Sequence, residues 1–391
     1  MSIADLERVE ARSTRGSVPL YQPLLNGTEF DINVTQASLI FTAGEHDQVT
    51  ISATSPTLDD TTGFLDSTIS FLFGTSPHVE KFCGYITNVT EEQDSAGSLS
   101  FTLTVLGPTK AMYEGQPRFW TDKAIPYAVR DLVHRSLLGY SGHTHTHLWK
   151  GLAQTVESDW MMARSLTRRI GWSLFNRYGV VLCQDPLRLF TDIGVYATLQ
   201  SGGDADVNTD RMLIEFQPTE TAESLAENLG TKYGFFTTND TVQVSTQAGT
   251  FKGYRFNTDH VIRDQTESAT YLAALASVTE DWKQHAMARI WGDADVYPGM
   301  NVEVITTNTR FLRDKFDGRW LVKAAAHQMD RQQYQTLLYL CRPGNDVAVK
   351  PSGYVPFWTG GDSNGRAKPY LTIEQGKWVS TWTNRQASAV L

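Results

Sequence analysis

Basic charge is scarce in this chain. Its 391 residues include 34 Lys and Arg residues against 43 Asp and Glu residues, which gives a formal net charge of −9. A protein that grips nucleic acid needs a basic surface to displace counterions from the phosphates, so this balance disfavours stable DNA or RNA binding. Hydrophobic residues make up 41% of the chain, which is enough apolar mass for several cores.

Cysteines and long apolar runs are also scarce. Cys83, Cys183 and Cys341 lie far apart in strand-like apolar runs and form no CxxC motif, so we expect buried free thiols in a reducing compartment. No run approaches the length of a transmembrane helix, and the polar segment Met1–Gly16 lacks the apolar core of a signal peptide. The sequence therefore predicts a soluble protein, made in the cytoplasm, without membrane insertion.

The short motifs that mark common catalytic sites are missing as well. The sequence contains no GxSxG, HExxH, Walker A or GxGxxG pattern. Carboxylate pairs such as Glu91-Glu92 stand in turn-like contexts, where neighbours rarely face one substrate, which disfavours a glycosidase. Asp317 and His327 have the residue types of an acid–base pair, but we interpret them as a turn residue and a strand residue. We predict no enzymatic activity and no cofactor.

Alternating apolar residues dominate residues 20–109, for example Phe101, Leu103 and Val105. Such alternation places one face of a strand against a core. Turn signals such as Asn26-Gly27 separate the runs. Several short strands at close spacing predict a small barrel or sandwich.

The spacing of apolar residues becomes helical after Trp120. Alanine, valine and leucine residues between positions 124 and 137 predict one helix. Ser158 has the residue type of an N-cap, and a second helix is predicted from there to Gly171. Two apolar runs joined by Asn176–Gly179 then predict a hairpin, so the region is typical of a small α+β unit.

The β pattern resumes after Arg211, and a helix is predicted within it over Thr266–Gln284. Asp317-Gly318 is a tight-turn signal that opens a closing pair of strands, 320–327 and 334–341. This region echoes the first β region, because each ends in a strand that opens with an aromatic residue and pairs with a long final strand. One fold used twice with different insertions would produce such an echo.

A segment rich in Gly, Pro, Ser and Trp follows from Pro343. It contains Trp358, Trp378 and Trp382. This composition predicts an extended arm and not a domain. Aromatic side chains on such an arm need a partner surface to bury them.

Three histidines form a candidate metal site. His143, His145 and His147 alternate with threonines, so in a strand all three imidazoles would face one side. Three histidines on one face are a ligand set for Zn²⁺ or Fe²⁺. Same-face neighbours lie about 6.5–7 Å apart, so a bend or a second chain must bring them to one ion. A polar, exposed loop is the alternative.

An acidic stretch resembles a calcium loop in its spacing. Asp204, Asp206, Asn208 and Glu215 fall at the first, third, fifth and twelfth positions of an EF-hand loop. Thr209 stands where the sharp turn requires glycine, and the following residues are strand-like. We therefore interpret the stretch as a polar loop.

The order of the motifs resembles the phage tail hub proteins. That family includes the baseplate hubs of contractile phages and the hub portion of type VI secretion spike proteins. The resemblance to its closing barrel rests on Gly292–Gly299, Asp317–Val322, His327 and a final strand to Arg342. Phe82–Ile86 with Leu103–Gly107 is similar to the first barrel of the family, and Ser158–Gly171 resembles the helix of its intervening domain.

The resemblance implies a β-rich α+β fold with two tail-tube-like β-barrel domains and a small α+β domain between them. The expected parts are an N-terminal arm at 1–18, the first barrel at 19–118, the small domain at 119–190, the second barrel with a helical and mixed insertion at 191–342, and the C-terminal arm at 343–391.

The resemblance also implies a structural function. Three chains would form a pseudo-sixfold ring that adapts the sixfold tail tube to the threefold central spike and encloses a channel for DNA and the tape-measure protein. Other baseplate proteins would contact this homotrimer in the virion. Two alternatives from other classes are a tail-associated peptidoglycan hydrolase and a carbohydrate-binding tail module, the latter motivated by the many Trp and Tyr residues.

Overall fold

A computed structural model of the chain describes residues 23–30, 32–55, 60–75, 78–93, 99–201, 210–220, 229–236, 241–247, 253–255, 270, 274, 282–306, 315–330, 332–343, 371–374 and 377–380. The helices with described bounds are α1 (Ile125–Arg135), α2 (Asp159–Arg169), α3 (Pro186–Asp192) and a 3₁₀ helix at Pro108–Met112.

The strands before the second β region are β1 (Leu24–Leu25), β2 (Thr28–Glu29), β3 (Asn33–Thr42), β4 (Gln48–Ser55), β5 (Thr68–Thr75), β6 (His78–Gln93), β7 (Leu99–Leu106), β8 (Arg118–Trp120), β9 (Gly139–Gly142), β10 (Leu152–Gln154), β11 (Ser173–Arg177) and β12 (Val180–Gln184). The later strands are β13 (Val195–Ser201), β14 (Asp210–Glu220), β15 (Leu229–Phe236), β16 (Thr241–Gln247), β17 (Gly253–Arg255), β18 (Gln284–Trp291), β19 (Asn301–Thr306), β20 (Gly318–Asp330), β21 (Tyr334–Arg342), β22 (Leu371–Glu374) and β23 (Lys377–Ser380).

Thirteen of these strands form one sheet, in the order β19-β13-β14-β18-β21-β20-β3-β4-β7-β6-β5-β1-β2. A further pairing joins β19 to β20, so the strands from β19 to β20 close on themselves as a barrel. We call these six strands the second half of the sheet and the strands from β3 to β2 the first half. The predicted β-rich α+β class is confirmed.

The pairing of β20 with β3, which we call the seam, joins the two halves. These strands run antiparallel over Ala324–Asp330 of β20, so one continuous sheet passes through both halves. Burial alternates along β3 because successive side chains point to opposite faces. Leu39 and Phe41 are 0% and 2% exposed, whereas Ile40 between them is 44% exposed.

The small α+β unit carries a core of its own, shared by α1, α2 and the strands of the β9-β12-β11 sheet. Ser158 caps α2, because its Oγ accepts from the backbone N of Met161 at 3.2 Å. Gly171 follows α2 with a φ of 68°. Tyr178 and Gly179 both have positive φ, as the two-residue turn between β11 and β12 requires. The helices and the hairpin predicted from the sequence are confirmed.

Some sequence predictions are wrong, and others fall outside the described residues. Glu91 and Glu92 lie within β6 and not in a turn. The helix predicted over Thr266–Gln284 ends earlier, because Gln284 begins β18 and the described residues Trp282 and Lys283 are not helical. Residues 270 and 274, which are also described, are helical. Glu215 lies in β14, as the strand-like pattern predicted.

Several predicted features lie outside the described residues: the N-terminal arm, Asp204, Asp206, Asn208, Trp358 and Trp382. The backbone of Trp378 belongs to β23, which pairs with β22. The C-terminal segment therefore contains a hairpin where we expected only an extended arm.

Cys83, Cys183 and Cys341 are free and buried, which confirms that part of the prediction. Across the part of the chain that the structure describes, no helix combines the length and the apolar character needed to cross a membrane.

Gly84 marks the point where β6 passes from its pairing with β5 to its pairing with β7. A Cβ atom at this position would overlap the backbone carbonyl oxygen of Leu106. We expect Gly84→Ala to lower the free energy of unfolding by about 1–3 kcal/mol, since strands must shift to admit the methyl group. Urea denaturation followed by circular dichroism measures it. Thr102→Ala, on the solvent face of β7, is the control, and equal losses would contradict the close approach.

Candidate functional site at the sheet junction

The loop between β3 and β4 fixes the first half of the sheet to the small α+β unit. Gly44, with a φ of 79°, allows the chain to turn, and its backbone N donates to the carbonyl of Leu174 at 2.7 Å. Glu45 forms an ion pair with Arg164 of α2 at 2.6 Å, with side chains 50% and 40% exposed. Solvent screens such a pair, so its contribution to stability is small.

His46 continues this contact as a neutral aromatic ring. It packs between Tyr113 and Trp160, at 4.7 and 4.8 Å between ring centroids. Its Nδ1 lies 2.8 Å from the Thr109 hydroxyl. Burial, assisted by the charge of Arg164, lowers the pKa of His46 to about 4. The imidazole is therefore uncharged at neutral pH.

Asp47 is the next residue of the loop, and it is buried. Its carboxylate accepts from Nδ2 of Asn176 at 2.6 Å, and its carbonyl accepts from the backbone N of Gly107 at 2.7 Å. Burial raises the pKa of Asp47 to about 7, against the opposing effects of the Asn176 hydrogen bond and the Arg177 charge. A large part of this carboxyl group is therefore protonated near neutral pH.

We call the largely buried contact between residues 44–47, Glu80, Asn176–Tyr178 and Tyr297 the junction. Arg177 lies at its centre. Its side chain is 2% exposed and faces Glu80 of β6, 4% exposed, at 3.4 Å. The guanidinium group stacks 3.3 Å from the ring centroid of Tyr297 and 4.6 Å from that of Tyr178. It also donates to the Tyr178 hydroxyl at 2.9 Å, and that hydroxyl donates to Glu80. Both sheet halves and the small unit thus meet around one buried charge.

The two residues weighed as an acid–base pair belong to separate networks. His327 is 0% exposed, and its Nδ1 lies 2.9 Å from the Tyr334 hydroxyl and 3.1 Å from the Thr336 hydroxyl. Burial lowers the pKa of His327 to about 3. Asp317 accepts from the backbone N and the hydroxyl of Thr306 at 2.9 and 2.6 Å. This arrangement holds strands together and provides no shared reaction site.

The three candidate metal ligands lie in a loop after β9, as in the loop alternative that the sequence offered, and not in a strand. Their side chains still alternate as predicted: His143, His145 and His147 are partly buried, whereas Thr144 and Thr146 are exposed. All three imidazoles therefore face the small unit and not solvent.

The imidazoles pack on tryptophans. His143 and His145 lie edge-on to Trp172, at 6.0 and 5.5 Å between centroids, and His147 lies 5.0 Å from Trp149. Burial lowers the pKa of His143 to about 4 and also lowers that of His145. No group of three or more His, Cys, Asp or Glu residues among the described positions is placed to hold a metal ion. Within one chain the metal prediction has no support; a site shared between chains stays a prediction.

One face of the continuous sheet, which we call the outer face, is turned away from the core. In the first half most of its side chains are short and carry hydroxyl or amide groups, and Ile40 and Glu92 are exposed on the same face. The short polar side chains include Ser38 on β3, Thr50 and Ser52 on β4, Thr102 and Thr104 on β7, and Asn88 and Thr90 on β6. This half of the outer face offers mainly uncharged hydrogen-bonding groups.

The outer face of the second half carries both apolar and charged side chains, and Arg289 and Glu215 form an exposed ion pair on it at 3.6 Å. Met287 and Tyr339 stand opposite each other on β18 and β21 and are 38% and 42% exposed. Small side chains of β20, including Ala324, leave room beside them. The result is a groove of about 530 Å³ that also borders Thr42 across the seam.

This architecture matches solved structures over most of the chain. A 43 kDa tail protein of prophage MuSo2 from Shewanella oneidensis has a TM-score of 0.61 at 10% identity, over 83% of this chain and 98% of that chain. A tail protein from Neisseria meningitidis MC58 has a TM-score of 0.57 at 12% identity, over 83% and 97%. The chain has the tail-protein fold.

The tail-protein fold also occurs in secretion machinery. The E. coli c3393 protein is a type VI secretion component with structural similarity to the T4 bacteriophage tail proteins gp27 and gp5. It has a TM-score of 0.57 at 10% identity, over 94% of this chain and 90% of that chain. No protein-family model and no curated protein matches this sequence. The resemblance inferred from motif order is thus confirmed at the level of the fold.

Sequence reasoning missed the central residues of the junction. Asn176–Gly179 was expected to be only a hairpin turn. One signal was available: Asn176 and Arg177 stand between two continuous apolar runs. The strands of a hairpin on the surface would instead alternate apolar and polar residues. That signal predicts burial of the turn but not its partners.

Removing the buried guanidinium should destabilise the junction strongly. Arg177→Met leaves the carboxylate of Glu80 buried without its cation, and we expect a loss of about 3–5 kcal/mol in the free energy of unfolding. Chemical denaturation measures the loss. Arg164→Met, which breaks the exposed pair, is the control and should cost less than about 1 kcal/mol. The double variant Arg177→Met/Glu80→Gln should recover part of the stability, and no recovery would contradict a charge-pair explanation.

Asp47 should make stability depend on pH. Because its pKa of about 7 in the fold exceeds the ordinary value of 3.8, the folded state holds more protons between these values, and its stability falls as pH rises. Asp47→Asn removes the ionisation. At pH 8 we expect the free energy of unfolding of this variant to exceed that of the wild type by on the order of 3 kcal/mol, as measured by urea denaturation. At pH 5 the gain should be much smaller. A gain that does not depend on pH would contradict this assignment.

Proposed function

We propose that the chain is the structural baseplate hub of a phage tail, in which three copies form a ring that joins the sixfold tail tube to the threefold central spike. The observation that carries this proposal is the seam, because it makes one continuous sheet from two halves of a single chain. A ring of three such chains presents six similar sheet halves. Such a ring suits a sixfold partner on one side and a threefold partner on the other.

We place the outer face of the sheet on the channel that the ring encloses. The hydroxyl and amide side chains of the first half give phosphates no cationic partner, and in the second half Glu215 pairs with Arg289, so DNA passes without specific binding. The net charge of −9 acts in the same direction. The buried junction around Arg177 supports this role, since a channel wall needs its two halves in a fixed orientation.

We assign the remaining partners by surface. The apolar groove beside Met287 and Tyr339 faces the same channel, and it suits an apolar segment of the tape-measure protein. The tail tube and the central spike stack on the two ends of the ring, and other baseplate proteins contact its outside. The protein is made in the host cytoplasm and resides in the tail of the virion.

The proposed role is not enzymatic. The separate networks of Asp317 and His327 favour a structural role over a peptidoglycan hydrolase. The tail-protein fold supports the same choice.

Immunogold electron microscopy of tails that carry this chain tests the location. We expect label only at the end of the tail where the tube meets the spike, because the ring occurs once per tail. Label along the whole tube or on tail fibres would contradict the hub and favour a tube or receptor-binding role. Antibody against the tube protein, which should label along the shaft, is the control.

A cell-wall turbidity assay tests the enzymatic alternative. We expect the purified chain to leave a suspension of peptidoglycan unchanged, and Asp317→Asn to behave like the wild type. Lysozyme added to the same suspension is the positive control. Clearing by the wild type that Asp317→Asn abolishes would contradict the structural role.

A further inference from the structure

We propose that neighbouring copies of the chain join through β6 of one copy and β14 of the next, antiparallel, with Thr90 opposite Thr219 of the next copy. The inference rests on the proposed function, because it names the contact that closes the ring.

Besides the short β2 and the part of β5 beyond β1, two strands of the continuous sheet, β6 and β14, have an edge that no described strand pairs with. β6 pairs with β5 over His78–Tyr85 and with β7 over Tyr85–Gln93, so the far side of Thr87–Gln93 is open. β14 pairs with β13 only over Asp210–Met212, so the far side of Leu213–Glu220 is open. These edges lie at opposite ends of the sheet that runs from β14 to β6. Open edges are templates for another strand.

The two halves of the sheet repeat each other, and β-bulges mark equivalent positions. The pairing of β3 with β4 contains an extra residue at Thr35, and that of β14 with β18 contains one at Ile214. The pairing of β6 with β7 contains an extra residue at Thr87, and that of β20 with β21 contains one at Lys323. A bulge interrupts a ladder at one residue, so each is an internal marker of register.

The four bulges agree on one equivalence between the halves. Asn88 and Ala324 each directly follow the second pair of bulges. Following the ladders from Asn88 through β7 and β4 leads to Ser38, and following them from Ala324 through β21 and β18 leads to Gln217. Ser38 and Gln217 lie equally far beyond the first pair of bulges. Therefore β6, β7, β4 and β3 of the first half correspond, residue for residue at these positions, to β20, β21, β18 and β14 of the second half.

Because of this equivalence, the residue pairing at the seam predicts a pairing between the two open edges. β6 corresponds to β20 and β14 corresponds to β3, which are the two strands of the seam. The seam pair Ala326↔Ile40 therefore maps onto Thr90 and Thr219. Both threonines are exposed on the outer face, as directly opposed residues must be. A slip by one residue would place an outer side chain opposite a core side chain.

Pro218 sets which backbone groups face the open edge. Proline has no N–H, so its pair with Ala286 of β18 is not hydrogen-bonded, and its neighbours Gln217 and Thr219 bond to β18 instead. Thr90 and Thr219 then form a non-hydrogen-bonded pair, in which opposed Cα atoms lie about 4.5 Å apart. That distance lies within the reach of a disulfide.

Disulfide cross-linking of the full chain tests the register. Oxidising a mixture of the single variants T90C and T219C should give covalent dimers, whereas either variant alone should give none. The double variant T90C/T219C should give a covalent species that stops at three chains, because the ring closes. The native cysteines are buried, so they should not contribute.

Two matched variants serve as controls. I40C/A326C places the equivalent pair at the seam, and it should oxidise within one chain without forming oligomers. T90C/E215C moves one cysteine four residues along β14, about 13 Å away, and it should not cross-link.

The outcomes separate the contact from the function. Dimers of T90C alone would mean that two β6 edges meet about a twofold axis, which overturns the proposal. A chain with the mass of a trimer that does not cross-link through T90C/T219C overturns this register and leaves the hub standing. A monomer in every condition overturns both. Covalent species beyond three chains overturn the closed ring.

Discussion

The antiparallel pairing of β20 with β3 is the constraint on which the rest of the structure depends. It satisfies the backbone groups of two strand edges and merges the two halves into one sheet. It also fixes their register, because a slip by one residue would turn Ile40 toward the core that Leu39 and Phe41 fill. The orientation of each half relative to the other is therefore a property of a single chain, present before any partner binds.

The buried charges of Arg177 and Glu80, on the core side of the sheet, help to fix the orientation of the two halves. A charge in a low-dielectric core is tolerated only when partners surround it. Arg177 takes Glu80 from the first half, Tyr297 from the second and Tyr178 from the small unit. A rotation of the small unit against the first half would separate Arg177 from Glu80, and a shift of the second half would take the Tyr297 ring away from the guanidinium, so the cluster favours one arrangement. The raised pKa of Asp47 is the accompanying cost, since the same burial opposes its ionisation.

Much of the fold could be predicted because local pattern encodes it. Alternation marks the strands, and Ser158 marks the start of α2 by its capping chemistry. The junction could not be predicted, because the burial of Asp47 and Arg177 depends on segments that are distant in sequence. Glu91 and Glu92 were mistaken for a turn because charged residues on a free strand edge have the composition of a turn. The alternation of the histidines was predicted correctly, but their tryptophan partners depend on tertiary packing.

The central claim is that this chain builds a closed ring from three copies of a two-part sheet. The molar mass of the purified full-length protein in solution, measured by light scattering, tests it most directly. We expect about three times 43.7 kDa for the chain alone, or three copies of the chain within the mass of the complex that it forms when the tube or spike protein is added. A mass of one chain at every concentration and with either partner present would contradict it.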